Sequence, residues 1–471
     1  MIGICSYGAY VPPTRLPLAL CAGRPAVEGG PEKAVAWNDE DAVTMAVTAA
    51  VNCLRGIDRE SVDAVLFAST SYPFREKQGA ALIARALDLR RDVQTADHSG
   101  SLRAGTSALR SAIDAVTAGS ARSVLVIASD CRMGAPGSGL EAAVGDAAAA
   151  FLVSDREPLA TLVGSHTVAD EIVDVWRGAG ESFVHSWEDR FVVQEGYTPR
   201  SVEAVRGLLE KTGTTVADYT RVALYGPDAR SQQGVARKLG LEADQLQDAL
   251  FGRLGNAGVA FAPLLLAAAL ETAKPGERLL LSSYGDGAEA LAFAVTDQVE
   301  KLEPRRGVSW HLARRRVIAS YDKYLKARSL APVEWQRGGD PGLSATIHFR
   351  ERDDDLSLAG QKCNACGAVQ FPAQRVCESC FAKDDFARVR LSDRIGKLVT
   401  YTFDFFFPTP DPPTVVTVTE VDGARLHLQL VNCRPEDTHI GLPVEFEFRR
   451  MHEAGGRPNY YWKGTPVPEA E

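Results

Sequence analysis

Residues 1–300 alternate short apolar runs with longer, alanine-rich amphipathic ones. Val62–Thr70 (VDAVLFAST) and Ser123–Asp130 (SVLVIASD) are nearly continuous apolar runs of strand length, the pattern of strands covered on both faces. Between them, residues 40–56 and 78–89 carry the helical period. Strands alternating with helices predict βαβ units and a largely parallel sheet. Leu102–Gly119 predicts a further, small-residue-rich helix, entered through the turn in Ala96–Thr106 (ADHSGSLRAGT). A strand, a Ser/Gly turn and a helix N-terminus present backbone N–H groups that favour an anion or a nucleophile.

One pattern occurs twice. Ser123–Asp130 followed by Gly145–Asp155 (GDAAAAFLVSD) is echoed by Arg278–Asp297 (RLLLSSYGDGAEALAFAVTD). Each copy runs from an apolar strand through Gly-Asp and small residues into a second apolar strand, and each follows a helix. The repeat predicts two halves of similar topology, 1–165 and 166–300, with a site where they meet.

Residues 301–355 change character. The stretch is basic and helical in period, with a basic helix over Arg305–Arg316 read as packing surface, and then RGGDPG and ERDDDL read as solvated linker. In residues 356–390, Cys363, Cys366, Cys377 and Cys380 are spaced C-x2-C-x10-C-x2-C. Two such knuckles place four thiolates around one structural Zn2+, leaving no open position for catalysis. Residues 391–471 return to short alternating runs, 397–407, 414–421, 424–433 and 444–451, which fit a small Greek-key barrel of the OB type.

With 471 residues, two or three domains are expected. The net charge of −9 argues against nucleic acid as a partner. No apolar run reaches membrane-spanning length, and the N-terminus opens directly on a strand pattern rather than a cleavable signal. Nine cysteines, single except for the one cluster, do not form a secreted disulfide framework, so a reducing cytoplasm is expected.

Six stretches resemble, in order and spacing, the thiolase superfamily, in particular its archaeal-type hydroxymethylglutaryl-CoA synthases and initiating ketoacyl synthases. They are Ser129–Phe151 (SDCRMGAPGSGLEAAVGDAAAAF), Asp174–Gly180 (DVWRGAG), Gly207–Gly213, Gly234–Leu241, Leu254–Gly258 (LGNAG) and Ser283–Phe293 (SYGDGAEALAF). The tail resembles the zinc-ribbon/OB-fold partner that accompanies thiolase-like proteins. The resemblance implies a five-layer αβαβα thiolase fold carrying a rubredoxin-like ribbon and the barrel. It also implies an acyl-CoA thioester substrate, C–C bond chemistry beside the thioester, a homodimer and a possible further thiolase-like partner.

Family members work through a nucleophilic Cys at a helix start, a His, and either a Glu or an Asn. In this chain the resemblance puts Leu102 at the Cys position, Thr70 at the Glu and Tyr225 at the His, and keeps Asn256. Leucine is no nucleophile. Ser101, one residue earlier, is a substitute if His98 acts as its base; Cys131 reads as a small core residue. Alternatively, an aldol or retro-aldol reaction needs a base for a hydroxyl and a site for an enolate, with no acyl-enzyme. Tyr225 and Tyr284 suit the proton transfers if both face the cavity, and the thiolase-like sterol side-chain aldolases resemble this chain in lacking the Cys. Arg230 falls where the family carries a basic residue suited to a CoA phosphate. The leading reading is a cysteine-independent aldolase or lyase. A Claisen-type acyltransferase using Ser101, and a silent acyl-CoA-binding scaffold, are the alternatives.

Overall fold

The computed structural model describes residues 1–331, 344–407, 409–454 and 457–468, so that RGGDPG lies outside the described residues. The chain divides into two compact units. The first comprises Met1–Ala36, Asp41–Ala84 and Leu89–Tyr321; the second comprises Asp322–Glu471 with Trp37–Glu40 and Arg85–Asp88.

The first unit opens with β1 (Gly3–Tyr10), α1 (Ala42–Cys53), β2 (Ala64–Ala68), α2 (Gly79–Ala86), β3 (Gln94–His98), α3 (Ala104–Thr117), β4 (Ser123–Asp130) and β5 (Ala147–Ser154). It continues with β6 (Ala160–Ala169), α4 (Thr198–Thr212), β7 (Arg221–Leu224), α5 (Ala229–Leu239), α6 (Phe261–Thr272), β8 (Arg278–Tyr284) and β9 (Gly287–Val295). The strands lie in the order β7-β8-β9-β6-β1-β5-β4-β2-β3. Read outward from the β1–β6 seam, where Gly3 and Ile4 pair with Thr161 and Ala160, the halves run β1-β5-β4-β2-β3 and β6-β9-β8-β7. A parallel bridge from Val222 to Leu246 marks where a fifth strand of the second half would lie. The sequence repeat is therefore a topological repeat.

The sheet is mixed, which corrects the expectation of a largely parallel one. β2, β3 and β4 pair in parallel, as do β7 and β8. The return strands β5 and β9 are antiparallel to both neighbours. β9 is reached through a two-residue turn, Gly285 and Asp286, which can only reverse the chain, whereas β5 is reached through residues 131–146, which hold a short helix, Gly139–Ala143. Helix α1 covers β1, β4 and β5; α3 and α6 touch each other between the halves; α4 covers β6, β8 and β9 and packs on α5. These are the five layers. Nine of the twelve residues of α6 are apolar and buried, as a central layer requires.

Residues 305–316 do not form one basic helix. Val308–Ala313 is a short helix, and Arg316–Val317 pairs in parallel with Thr14–Pro17.

In the second unit ERDDDL lies within a helix, α7 (Ala345–Ser357), rather than in linker. Asp353 forms an ion pair with Arg85, and the Trp462 indole donates to the Leu356 carbonyl at 2.8 Å. Tertiary contacts thus hold a helix that its run of aspartates disfavours. Strands β10 (Ala359–Cys363), β11 (Val369–Gln370) and β12 (Phe386–Arg390) form the ribbon sheet. Strands β13 (Gly396–Asp404), β14 (Thr414–Val421), β15 (Ala424–Leu430), β16 (Pro443–Ala454) and β17 (Arg457–Pro466) close a barrel in the order β13-β14-β15-β17-β16. The hydrophobic pattern does not announce β17, because most of its residues are buried and no alternation shows.

Candidate active site

The turn before α3 is held by the second half of the repeat. A Cβ on Gly285 would lie 2.8 Å from the Ser101 hydroxyl, 2.9 Å from the Arg103 nitrogen and 3.0 Å from that of Leu102, so only glycine lets the β8–β9 turn approach. Arg103 reaches across to the carbonyls of Asp286 at 3.3 Å and Val168 at 3.4 Å. Leu102 packs against the core. The Ser101 hydroxyl accepts from the Arg103 N–H at 3.3 Å. His98 ends edge strand β3, half-buried, its imidazole pushed below the usual range by burial against the opposing pull of Asp97. No hydrogen bond joins His98 to Ser101 among the described residues.

Behind this turn, Asp130 closes β4. It is fully buried and accepts from six donors: the Ser69, Thr70 and Ser71 hydroxyls, the Thr70 and Ser71 N–H groups, and the Val259 N–H. Thr70 is thus bound to a carboxylate, its hydroxyl donating at 2.8 Å. Cys131 donates its backbone N–H to the Ser71 hydroxyl at 2.7 Å. Arg132, also buried, stands 3.9 Å from Asp130 through Nε, and its Nη2 donates to Asn256 Oδ1 at 3.0 Å. A Cβ on Gly258 would fall 2.2 Å from Asp130 Oδ2 and 2.7 Å from Arg132 Nε, which explains the glycine at φ +59°.

Asn256 connects this polar core to the tyrosines. Its Nδ2 donates to the Tyr225 hydroxyl and the Gly226 carbonyl, both at 3.1 Å, while Oδ1 also accepts from the Gly258 N–H at 2.9 Å. Tyr225 follows β7 directly and packs edge-on against Phe261 (5.8 Å between centroids) and beside Tyr284 (6.3 Å). Tyr197 lies 5.4 Å from Tyr284, edge-on, and donates its hydroxyl to the Tyr225 carbonyl at 2.6 Å. Burial raises the Tyr225 phenol above its usual range; Arg132 and Asn256 pull it down and Asp174 pushes it up. Tyr284 is buried with no hydrogen-bond partner for its hydroxyl among the described residues, and desolvation followed by the charge of Asp174 holds it well above the phenol range. Burial likewise raises the Asp174 carboxyl, against the Val175 N–H and Tyr284.

The structure therefore brings Tyr225, Asn256 and Tyr284 together. Asp130, Arg132, Asp174 and Tyr197 join them unannounced by the pattern. The available signal for Asp130 was an ionisable residue ending a nearly continuous apolar strand, since such a group must find partners inside. Arg230 lies elsewhere, exposed on the first turn of α5 and in no ion pair among the described residues.

In the ribbon, the four sulfurs of Cys363, Cys366, Cys377 and Cys380 lie within 4.8 Å of one another, with Cys363–Cys380 and Cys366–Cys377 at 3.6 Å. A tetrahedral zinc with Zn–S of about 2.3 Å sets sulfurs roughly 3.8 Å apart, so these residues fit the ion. All four positions would be filled by protein, and the metal's contribution is to fold the ribbon.

Residues 209–296 match the family described as 3-oxoacyl-[acyl-carrier-protein (ACP)] synthase III C terminal, and residues 350–385 match ChsH2, rubredoxin-like zinc ribbon domain. Hydroxymethylglutaryl-CoA synthase of Pyrococcus horikoshii is 33% identical over 338 residues, 69% of this chain and 96% of the relative. That of Archaeoglobus fulgidus is 34% identical over 341 residues, 70% of this chain and 98% of the relative. Among solved structures, HMG-CoA synthase complexed with CoA superposes with TM-score 0.62 at 20% identity, covering 73% of this chain and 94% of that one. The 3-oxoacyl-(acyl carrier protein) synthase III of Pseudomonas aeruginosa superposes with TM-score 0.56 at 22% identity, covering 63% and 98%.

Proposed function

This chain belongs to the hydroxymethylglutaryl-CoA synthase family, and on that premise we propose that it cleaves or forms a C–C bond of a β-hydroxyacyl-CoA aldol-fashion, without an acyl-enzyme. The observation that carries this reading is the state of the Tyr225 hydroxyl. Its lone pair is engaged by the Asn256 amide, and its own proton has no acceptor among the described residues. A buried phenol so held is oriented to exchange a proton with a bound hydroxyl.

In the cleavage direction, the phenolate form of Tyr225 removes the β-hydroxyl proton and the Cα–Cβ bond breaks. The electron pair passes to the thioester as an enolate, and a carbonyl compound leaves. Protonation at Cα, assigned here to Tyr284, completes an acyl-CoA. Leu102 at the family's nucleophile position is consistent with chemistry that needs no thiol. Arg230, without an ion-pair partner among the described residues, is assigned to a phosphate of the CoA, and the thiolase frame is taken to pair as a homodimer.

The test uses the purified full chain with a panel of β-hydroxyacyl-CoA thioesters, quantifying released acyl-CoA and carbonyl product. Tyr225→Phe is expected to lower kcat by about 10²–10⁴-fold, the usual worth of a positioned acid–base group. Unchanged turnover of every accepted substrate would remove Tyr225 from the mechanism.

The relatives' own names favour a second reading, a Claisen-type acyl transfer through Ser101. Intact-protein mass after incubation with acyl-CoAs separates the two: an adduct that disappears in Ser101→Ala supports acyl transfer and overturns the aldol reading.

A further inference from the structure

Tyr225 stands between two opposite charges. On one side a continuous chain of buried contacts runs from Asp130 to Arg132 (3.9 Å), from Arg132 Nη2 to Asn256 Oδ1 (3.0 Å), and from Asn256 Nδ2 to the Tyr225 hydroxyl (3.1 Å). Asp130 offsets part of the guanidinium charge from 3.9 Å, while its oxygens also accept from six other donors. Arg132 is only 5% exposed and its Nε has no hydrogen-bond partner among the described residues, so the cation is held away from bulk solvent. A cation on the oxygen of an amide polarises it and strengthens the N–H it donates on the far side. On the other side, Tyr284 packs against Tyr225 with 6.3 Å between ring centroids, and the charge of Asp174 raises both phenols. The remaining neighbours, Tyr197 and Phe261, bring no charge, and Asp228 acts electrostatically on Tyr197.

We propose that Arg132 and Asp174 are opposed positioning residues that together set how tightly Tyr225 holds its proton. Arg132, acting through Asn256, favours the phenolate that would accept a substrate proton. Asp174 favours the neutral phenol and restores the donor for the reverse step. A pair of opposed charges gives one tyrosine access to both forms, which a reversible C–C bond reaction requires and a purely hydrophobic pocket around the ring would deny. The inference rests on the reading that Tyr225 moves the proton, but the arrangement is measurable without any turnover.

The measurement places 3,5-difluorotyrosine at position 225 of the full chain, where the more acidic phenol ionises within the range the folded protein tolerates, and follows it by ¹⁹F NMR against pH. Arg132→Gln keeps an amide donor for Asn256 and removes the charge. It is expected to raise the ionisation midpoint by about one pH unit, a tenfold change. Asp174→Asn, on a partly exposed loop, is expected to lower it by about the same amount. Midpoints that stay within a few tenths of a unit, or move in the same direction in both variants, overturn the proposal. If Arg132→Gln does not fold, the Asp174→Asn midpoint decides alone, and an unmoved value overturns it. Where a substrate is turned over, the pH limb of kcat moves with the NMR midpoint. Opposite shifts together with full activity of Tyr225→Phe would leave this proposal standing and remove the aldol reading; absent shifts with an inactive Tyr225→Phe would do the reverse.

Discussion

Asp130 shows how much one buried side chain organises. Its six donors tie the Ser69–Ser71 loop to the turn before α6, and the cation of Arg132 sits behind it. Asp130→Ala leaves those donors and a buried guanidinium unpaired, and is expected to cost about 3–5 kcal/mol, read as a lower urea midpoint. Introducing the family's carboxylate by Thr70→Glu is expected to destabilise as well, because the new charge would meet Asp130 where a hydroxyl now donates at 2.8 Å. Urea unfolding of that variant at neutral and mildly acidic pH checks it, with the loss smaller where the added carboxyl is protonated. Of the site, Tyr225, Asn256 and Tyr284 were legible through their place in family motifs. Arg132 and Asp174 were not, because motif position says nothing about which charge a fold turns toward a ring.

Among the elements, the ribbon's two knuckles repeat one geometry with different residues. Gly367 N–H donates to the Cys363 carbonyl at 2.8 Å and Phe381 N–H to that of Cys377 at 3.0 Å, and both residues have positive φ, +78° and +64°. Glycine adopts this conformation freely, whereas Phe381 does so at a steric cost with its ring 76% exposed. Phe381→Gly is therefore expected to stabilise the zinc-loaded ribbon by up to about 1 kcal/mol, seen as a higher chelator concentration at half-release. Cys366→Ser should abolish zinc uptake, checked by metal analysis, with proteolysis mapping to residues 359–390 if the metal holds this segment folded. The knuckles were readable in sequence because metal geometry dictates spacing. Strand β17 and helix α7 were not, since one is buried on both sides and the other depends on ion pairs made by distant residues.

At the scale of the whole chain, two compact units are described, the first holding the tyrosine site and the second the ribbon and barrel. Among the described residues, no helix is long and apolar enough to cross a membrane. The first unit carries an acid-sensitive point at His311, whose Nε2 lies 3.2 Å from Asn52 Nδ2 and whose ring meets Tyr10 edge-on at 5.2 Å. An amide donor at that nitrogen requires the neutral imidazole; burial, aided by Arg314 and Arg306, holds its pKa well below the usual value. The unfolded chain takes up a proton here below about pH 6.5 while the folded chain does not, so stability falls as pH drops through that window and is unaffected above it. The urea midpoint of the first unit is expected to decrease between about pH 7.5 and 5.5, less so in His311→Gln. By itself the sequence determined the α/β repeat, the zinc knuckles, the barrel's first four strands and the family, because these rest on local periodicity, ligand spacing and ordered motifs. Only the tertiary structure decided the antiparallel return strands, the closure of the barrel by β17 and the two opposed charges around Tyr225. Each of these depends on residues far apart in the chain meeting in space, and no periodicity encodes which distant side chain will supply the missing partner.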